Sequence, residues 1–108
     1  MKDSIVINMK YADYDIIDGK PNVERHHIFG GPCRKLSDID GLWIPLTHEH
    51  HQGNMSVHHN KEMQVLTHII GQLAWEKHYI VERRELPFED IELEAREAFR
   101  KRYGKSFL

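Results

Sequence analysis

Histidine is the residue type in this chain that is best suited to chemistry. Of the nine histidines, seven lie in two groups between residues 26 and 59, namely His26, His27, His48, His50, His51, His58 and His59. Imidazole is the commonest metal ligand in proteins and can act as a general base near neutral pH. Because these histidines are internal, unevenly spaced and embedded in apolar sequence, they do not resemble a tag. Their clustering predicts a metal or catalytic site rather than a set of solvated or core imidazoles.

Hydrolysis of a phosphodiester with one metal ion is a reaction that such a cluster can support. It needs a cation near the phosphate, a general base for water and a group that orients the base. Adjacent strand residues point to opposite faces, so we expect one of His26 and His27 to face a metal while the other flanks it. Several imidazoles with few carboxylates favour zinc, nickel, cobalt or manganese over magnesium. We expect one divalent ion per chain, with zinc the ion found bound and magnesium, manganese, nickel or cobalt open for activity.

Short strands and two longer helices are expected to position these histidines. Strands are predicted over 23–29 and 42–46, with two further short N-terminal strands over 4–8 and 14–17. Apolar residues at helical spacing predict helices over 59–80 and 88–103. The sequence therefore predicts one α+β domain over residues 1–108, with its core over about 23–80 and a C-terminal helix over about 88–103.

The helix expected over 59–80 carries an apolar stripe, formed by Met63, Leu66, Ile69, Ile70 and Leu73. We expect this stripe to pack into the protein core, although packing against a partner stays open. The oligomeric state, monomer or homodimer, stays open with it.

Composition limits the function classes. The net charge of −2 argues against a protein that coats nucleic acid through bulk electrostatics. With Cys33 as its single cysteine, the chain cannot form an internal disulfide or a paired-cysteine zinc site. No apolar run approaches the roughly 20 residues that cross a bilayer, and the N-terminus lacks the basic region of a signal peptide. These features predict a cytoplasmic protein with no membrane segment.

Local positive charge is available in the loop between the two central strands, at Arg34 and Lys35, beside Gly30 and Gly31. One interpretation is a close approach of backbone and basic side chains to a DNA phosphate. The other is a tight turn with a solvated pair of charges. Both stay open on the residues alone.

From Glu24 onward the chain holds, in order, HHIFGG, GLWIPLTHEHH and SVHHN. With these motifs, the segment from Glu24 to His59 resembles the HNH endonucleases. It is most similar to small HNH-like proteins of phages and prophages from low-GC Gram-positive bacteria, and the likeness extends more weakly into AREAFRKRYGKSFL. The resemblance implies a ββα-metal (His-Me finger) core, DNA as substrate and a role in phage DNA processing or recombination.

The resemblance also implies roles for individual residues. His26 corresponds to the metal-binding member of the first histidine pair, and His27 corresponds to the general base that activates water. His51 corresponds to the metal ligand at the start of the helix. His58 corresponds to a third metal ligand that the narrower group carries.

One departure from the HNH pattern affects the general base. Leu42 stands where the usual asparagine orients the imidazole, and leucine cannot do so. We therefore expect a backbone carbonyl near Gly41 or Leu42, or the side chain of Asp40, to hold His27. Asp40 is alternatively a turn residue without a catalytic role.

The other histidines are expected to lie outside the ligand set. Thr47 and His50 stand where many HNH proteins carry the cysteines of a structural zinc knuckle, so no knuckle is expected. Supporting or surface positions are predicted for His48, His50 and His59, and structural or solvent-facing positions for His68 and His78.

The leading function is therefore a metal-dependent DNA endonuclease. The alternative is a non-catalytic module in which the same histidines bind a structural zinc ion and the protein binds DNA or another protein. A metal buffer or sensor fits less well, because such a protein does not need the GLWIPL strand and its fixed spacing.

Overall fold

The structure, a computed structural model, describes residues 2–53, 56–83 and 88–108. It is an α+β fold with one small sheet and four α-helices among the described residues. The elements in chain order are β1 (Val23–His27), α1 (Arg34–Ile39), β2 (Trp43–Thr47), α2 (His48–Gln52), α3 (Lys61–Glu82) and α4 (Phe88–Tyr103). Short 3-10 helices cover Met9–Tyr11 and Gly31–Cys33.

The sheet is an antiparallel pair whose register decides which side chains share a face. Glu24 pairs with Leu46, and His26 pairs with Ile44. Side chains alternate along a strand, so Glu24 and His26 lie on the face that holds the buried Ile44 and Leu46. This face continues into the core, which also contains Ile28, Phe29, Leu42, Val57, Phe99 and Tyr103. The two strands were expected at these places, and the structure confirms them.

The N-terminal segment lies along β2 without forming strands. The Trp43 ring nitrogen donates to the Lys2 carbonyl, the Ser4 hydroxyl donates to the Trp43 carbonyl, and Ile16 N–H donates to the Pro45 carbonyl. The strands expected over 4–8 and 14–17 are therefore wrong. The segment meets the sheet through separate contacts interrupted by turns, and Pro45 has no N–H to extend a ladder.

Helix α3 is present as expected, but it packs with a different face from the one predicted. Its buried residues are Thr67, Gly71, Gln72 and Glu76. A Cβ built at Gly71 would lie 2.7 Å from Cγ2 of Ile28, so the glycine allows the helix to approach the turn after β1. Most of the apolar stripe that was expected in the core instead faces outward.

Helix α4 matches the prediction in both position and packing. Ile91, Ala95, Phe99 and Tyr103 are buried, as the stripe at helical spacing indicated. The loop expected between the central strands contains α1, which begins at Arg34. Among the described helices, none has the length and apolar character that a membrane crossing requires.

Candidate metal and active site

Three histidines from separate parts of the chain converge at one end of the sheet. His26 comes from β1, His51 from α2 and His58 from the turn before α3. One nitrogen from each ring lies within 4.8 Å of those from the other two. The ring centroids are 4.8–5.2 Å apart. The three residues expected as metal ligands are therefore close enough together to hold one ion.

Backbone hydrogen bonds bring His51 and His58 to this position. Helix α2 follows β2 directly, which places His51 beside His26. Val57 N–H donates to the His50 carbonyl over 3.0 Å and so joins the turn at His58 to α2. The geometry of the cluster thus depends on contacts that do not involve the imidazoles.

His26 is the most buried member of the cluster. It is 6% exposed, and burial, followed by its neighbours His51 and His58, lowers its pKa to about 3. Its Nε2 atom is buried, and no described residue offers it a hydrogen bond. An unpaired buried nitrogen costs free energy, and a bound cation would satisfy a neutral imidazole of this kind. The donor set therefore fits a divalent metal ion.

A carboxylate orients the second imidazole of the cluster. Nδ1 of His51 lies 2.9 Å from Oε1 of Glu24. An ionised carboxylate only accepts hydrogen bonds, so the ring donates from Nδ1 and keeps the Nε2 lone pair for a ligand. The hydrogen bond from His51, followed by one from His48, lowers the pKa of Glu24. Carboxylate–histidine pairs of this kind are typical of metal-binding histidines.

His27 has its own carboxylate partner on α1. Its Nε2 atom lies 3.3 Å from Oδ1 of Asp38, and its side chain is 14% exposed. By the same reasoning, the ring donates from Nε2 and leaves Nδ1 without a proton. His27 also lines the cleft described below. One ring nitrogen of His27 is thus held by a carboxylate, and the other is left as a proton acceptor.

Asp40 does not have the position that was expected for it. Its carboxylate accepts from Nε and Nη2 of Arg102 over 2.6 and 2.7 Å, from the Tyr103 hydroxyl over 2.7 Å and from the Trp75 ring over 3.1 Å. These bonds join the end of α1 to α3 and α4. The prediction that Asp40 orients His27 is corrected, since Asp38 makes the contact with that ring.

The histidine cluster opens into a cleft of about 360 Å³, lined by Arg25, His26, His27, Gly30, Gly31, Arg34, His51, Gln52 and His58. A neighbouring hollow of about 440 Å³ shares His27, Gly31 and Arg34 with it and adds Lys35. Within the described ranges, neither Arg34 nor Lys35 forms an ion pair. Both predicted DNA-binding residues therefore line the hollow beside the cleft, and Arg34 also lines the cleft itself.

The remaining histidines make structural or surface contacts. Nδ1 of His50 lies 2.8 Å from Oδ2 of Asp15, and these two residues with Asp18 form a second group close enough to hold an ion. The Asp15 carboxylate already accepts from three backbone N–H groups as well as His50, so we assign it a structural role. His48 is exposed beside Glu24, and His59 is exposed.

Comparison with protein-family models, curated proteins and solved structures finds no match for this chain. The likeness to the HNH endonucleases therefore rests on the sequence motifs alone. The chemistry of the site therefore has to be argued from its own residues.

Three carboxylates at or near the site were missed in the sequence. Glu24 had a usable signal, because it lies two residues before His26 and so on the same strand face. Asp38 would have been found only if α1 had been predicted between the strands. Asp15 has no local signal, since its partner His50 is 35 residues away.

Proposed function

We propose that this protein is a metal-dependent DNA endonuclease in which β1, β2 and α2 form a ββα-metal core. The observation that carries the proposal is the convergence of His26, His51 and His58 beside a cleft that also contains His27. The unpaired buried Nε2 of His26 supports metal binding independently of the sequence resemblance.

His26, His51 and His58 would hold the ion. When bound, a divalent ion supplies positive charge that stabilises the negative charge developing on a phosphate. Imidazole ligands favour zinc, nickel, cobalt or manganese over magnesium. Three side chains converge among the described residues, which leaves a coordination position for water or substrate. Such an open position distinguishes catalytic from closed structural sites.

His27 would take the proton from the attacking water at its Nδ1 atom. Asp38, hydrogen-bonded to Nε2, keeps that tautomer and stabilises the ring once it carries a second proton. Leu42 stands where the HNH pattern has the asparagine that orients the base. In this proposal Asp38, an acidic residue of α1, orients His27 instead.

Arg34 and Lys35 would contact DNA phosphates beside the cleft. Neither forms an ion pair with a carboxylate among the described residues, and both line the same hollow as His27. Gly30 lines the same cleft as Arg34 and the histidines, and a Cβ built there meets no atom within 4 Å. The absence of a side chain at this position leaves room for the phosphate backbone.

The test is cleavage of supercoiled plasmid by metal-stripped protein to which zinc, manganese, nickel, cobalt or magnesium is returned. We expect metal-dependent nicking, with His27→Ala reducing the rate about 10²–10⁴-fold while its zinc affinity, measured by calorimetry, stays near wild type. His51→Ala should lose both zinc binding and cleavage. The matched control is His59→Ala, an exposed histidine outside the cluster.

The outcomes separate the two functions. Zinc binding without cleavage by any metal, on folded protein, would favour the non-catalytic zinc module. Loss of zinc binding in His27→Ala would make His27 a ligand and overturn its role as the base. If His51→Ala binds zinc as tightly as wild type, the proposed metal site is wrong.

A further inference from the structure

Arg25 lines the cleft beside the histidine cluster. It is exposed on β1, and its guanidinium forms no ion pair with a carboxylate in the described parts of the chain. Side chains alternate along a strand, so Arg25 shares a face of the sheet with His27 and not with His26. An unpaired cation on the same face as the proposed general base is available to a ligand of negative charge.

The ring of Trp43 holds the Arg25 side chain in place. The guanidinium carbon of Arg25 lies 4.3 Å from the centre of this ring, a contact in which a cation is attracted to the aromatic face. The indole is itself fixed, because it is fully buried and its Nε1 donates to the Lys2 carbonyl over 2.8 Å. A planar guanidinium that stacks on a ring keeps N–H donors at its edge for a phosphate. Arg25 is therefore preorganised to bind an anion.

The cleft and the neighbouring hollow give the order of the positive charges around His27. Of these two spaces, Arg25 lines only the cleft and Lys35 lines only the hollow, whereas His27 and Arg34 line both. Arg25 and Lys35 therefore lie towards opposite ends of one continuous depression, with His27 between them. The carboxylate that lines the hollow, Asp38, is hydrogen-bonded to His27.

We propose that Arg25 binds a backbone phosphate of the DNA, and that this phosphate is a different one from that bound by Lys35. The strand then runs past His27, with the cleaved phosphate between the two contacts. Phosphate contacts fix the register of a protein on DNA without reading its sequence, so Arg25 would be a substrate-binding residue. This inference rests on the proposed function, because it takes DNA as the ligand of the cleft.

The test is the salt dependence of DNA binding, measured by fluorescence anisotropy with a short labelled duplex from about 25 to 200 mM NaCl. The parent protein is the full chain with zinc and His27→Ala, so that the duplex is not cleaved during the titration. Arg25→Gln should lower the affinity about tenfold at low salt. It should also make the plot of log K against log[NaCl] less steep by about 0.9, the value for one phosphate of a duplex.

A double variant tests whether two phosphates are bound. Lys35→Gln alone should also reduce the steepness by about 0.9. If Arg25 and Lys35 bind separate phosphates, the reductions add, and the double variant should lose about 1.8.

Two further variants separate a specific contact from general charge. Arg100→Gln changes the net charge by the same amount, but Arg100 is exposed on α4 in an ion pair with Glu97, so the steepness should stay at the parent value. Arg25→Lys keeps the charge and should restore the steepness. It should bind about threefold more weakly than the parent, because an ammonium lacks the planar fork that stacks on Trp43. Thermal unfolding checks that each variant is folded.

An unchanged steepness in Arg25→Gln overturns the proposal, as does an equal reduction in Arg100→Gln or an absence of DNA binding by the parent protein. A double variant that loses no more than either single variant would place Arg25 and Lys35 on the same phosphate and would also contradict it. Failure of the nuclease proposal looks different. If plasmid stays intact with every metal while the salt dependence changes as expected, Arg25 binds DNA in a non-catalytic module.

Discussion

Replacement of Asp15 by asparagine is expected to destabilise the protein even though Asp15 lies outside the histidine cluster. The residue is 3% exposed. Its Oδ1 accepts from Ile17 N–H over 2.7 Å, and its Oδ2 accepts from Thr47 N–H over 2.7 Å and from His50 over 2.8 Å. It therefore ties the N-terminal segment to the start of α2.

The size of the expected destabilisation follows from the pKa of Asp15. Burial raises this pKa, but hydrogen bonds from Thr47, His50 and Ile17 more than offset the effect and lower it from 3.8 to about 2. At about 1.4 kcal/mol per pH unit, the ionised carboxylate stabilises the folded state by about 2 kcal/mol. Asparagine keeps one hydrogen-bond acceptor but points an NH₂ group at existing donors. We therefore expect the free energy of unfolding to fall by about 2–4 kcal/mol in total. The melting temperature should fall by about 10–20 °C.

The sign of the pH dependence follows from the lowered pKa. The folded protein holds this carboxylate ionised more strongly than the unfolded chain does. The stabilisation is therefore fully present above about pH 4, the range of the unfolded value, and is lost as the pH falls through about 2. The difference between wild type and Asp15→Asn should accordingly be constant near neutral pH and shrink in acid.

The assay is urea unfolding of metal-free protein, followed by circular dichroism at pH 7, 5, 4 and 3. Asp13→Asn is the control, because Asp13 is an exposed acid on the same segment and should change stability by less than about 0.5 kcal/mol. An Asp15→Asn variant as stable as wild type at pH 7 would refute the reasoning. A loss of stability that is the same at pH 3 as at pH 7 would show that the carboxylate charge is not its source.

Three further substitutions test other parts of the structure. Glu24→Ala should weaken zinc binding about 10–100-fold in calorimetry, because His51 loses the carboxylate that orients it. Gly71→Ala should destabilise the protein by about 1–2 kcal/mol in urea unfolding, since the new Cβ would meet Ile28 and overpacking outweighs the gain in helix propensity. Asp40→Asn should lower stability by about 2 kcal/mol through loss of a charge-assisted hydrogen-bond network, while zinc affinity and plasmid cleavage at 25 °C stay near wild type.

Each of these predictions has a control variant or a result that would contradict it. Glu49→Ala removes an exposed acid of α2 and should leave zinc affinity unchanged, so an equal loss there would deny Glu24 a specific role. Gly30→Ala meets no protein atom within 4 Å and should be near neutral for stability. If Asp40→Asn abolishes cleavage in folded protein but Asp38→Asn does not, the assignment of the orienting carboxylate is wrong.

The elements around the site could be predicted because their signals are local. Short extended or apolar stretches predicted β1 and β2, and apolar residues at helical spacing predicted α3 and α4, all close to their observed ranges. The grouping of the histidines predicted a site at the junctions of strand and helix, and the resemblance to the HNH endonucleases implied the set His26, His51 and His58. The predictions of the strands and helices need only a few neighbouring residues.

The packing of α3 could not be predicted in the same way. A periodic pattern shows that a helix has an apolar face, but it does not show what lies against each side. Here Gly71 allows the helix to approach Ile28, and partners on α4 and beyond it satisfy Gln72 and Glu76. Close backbone approach and long-range hydrogen bonding therefore outweighed the apolar pattern.

The carboxylates show the same division between local and tertiary information. Asp38 and Asp40 are two residues apart, and of these two only Asp40 was expected from the sequence as a partner for His27. Asp40 is bound instead by Arg102, 62 residues further along the chain, while Asp38 meets the imidazole. The sequence by itself determined β1, β2, α3, α4 and the grouping of the histidines at the junctions between them, because those depend on short-range patterns and spacing. Only the tertiary structure decided which acid contacts which base, because distant parts of the chain compete for each carboxylate.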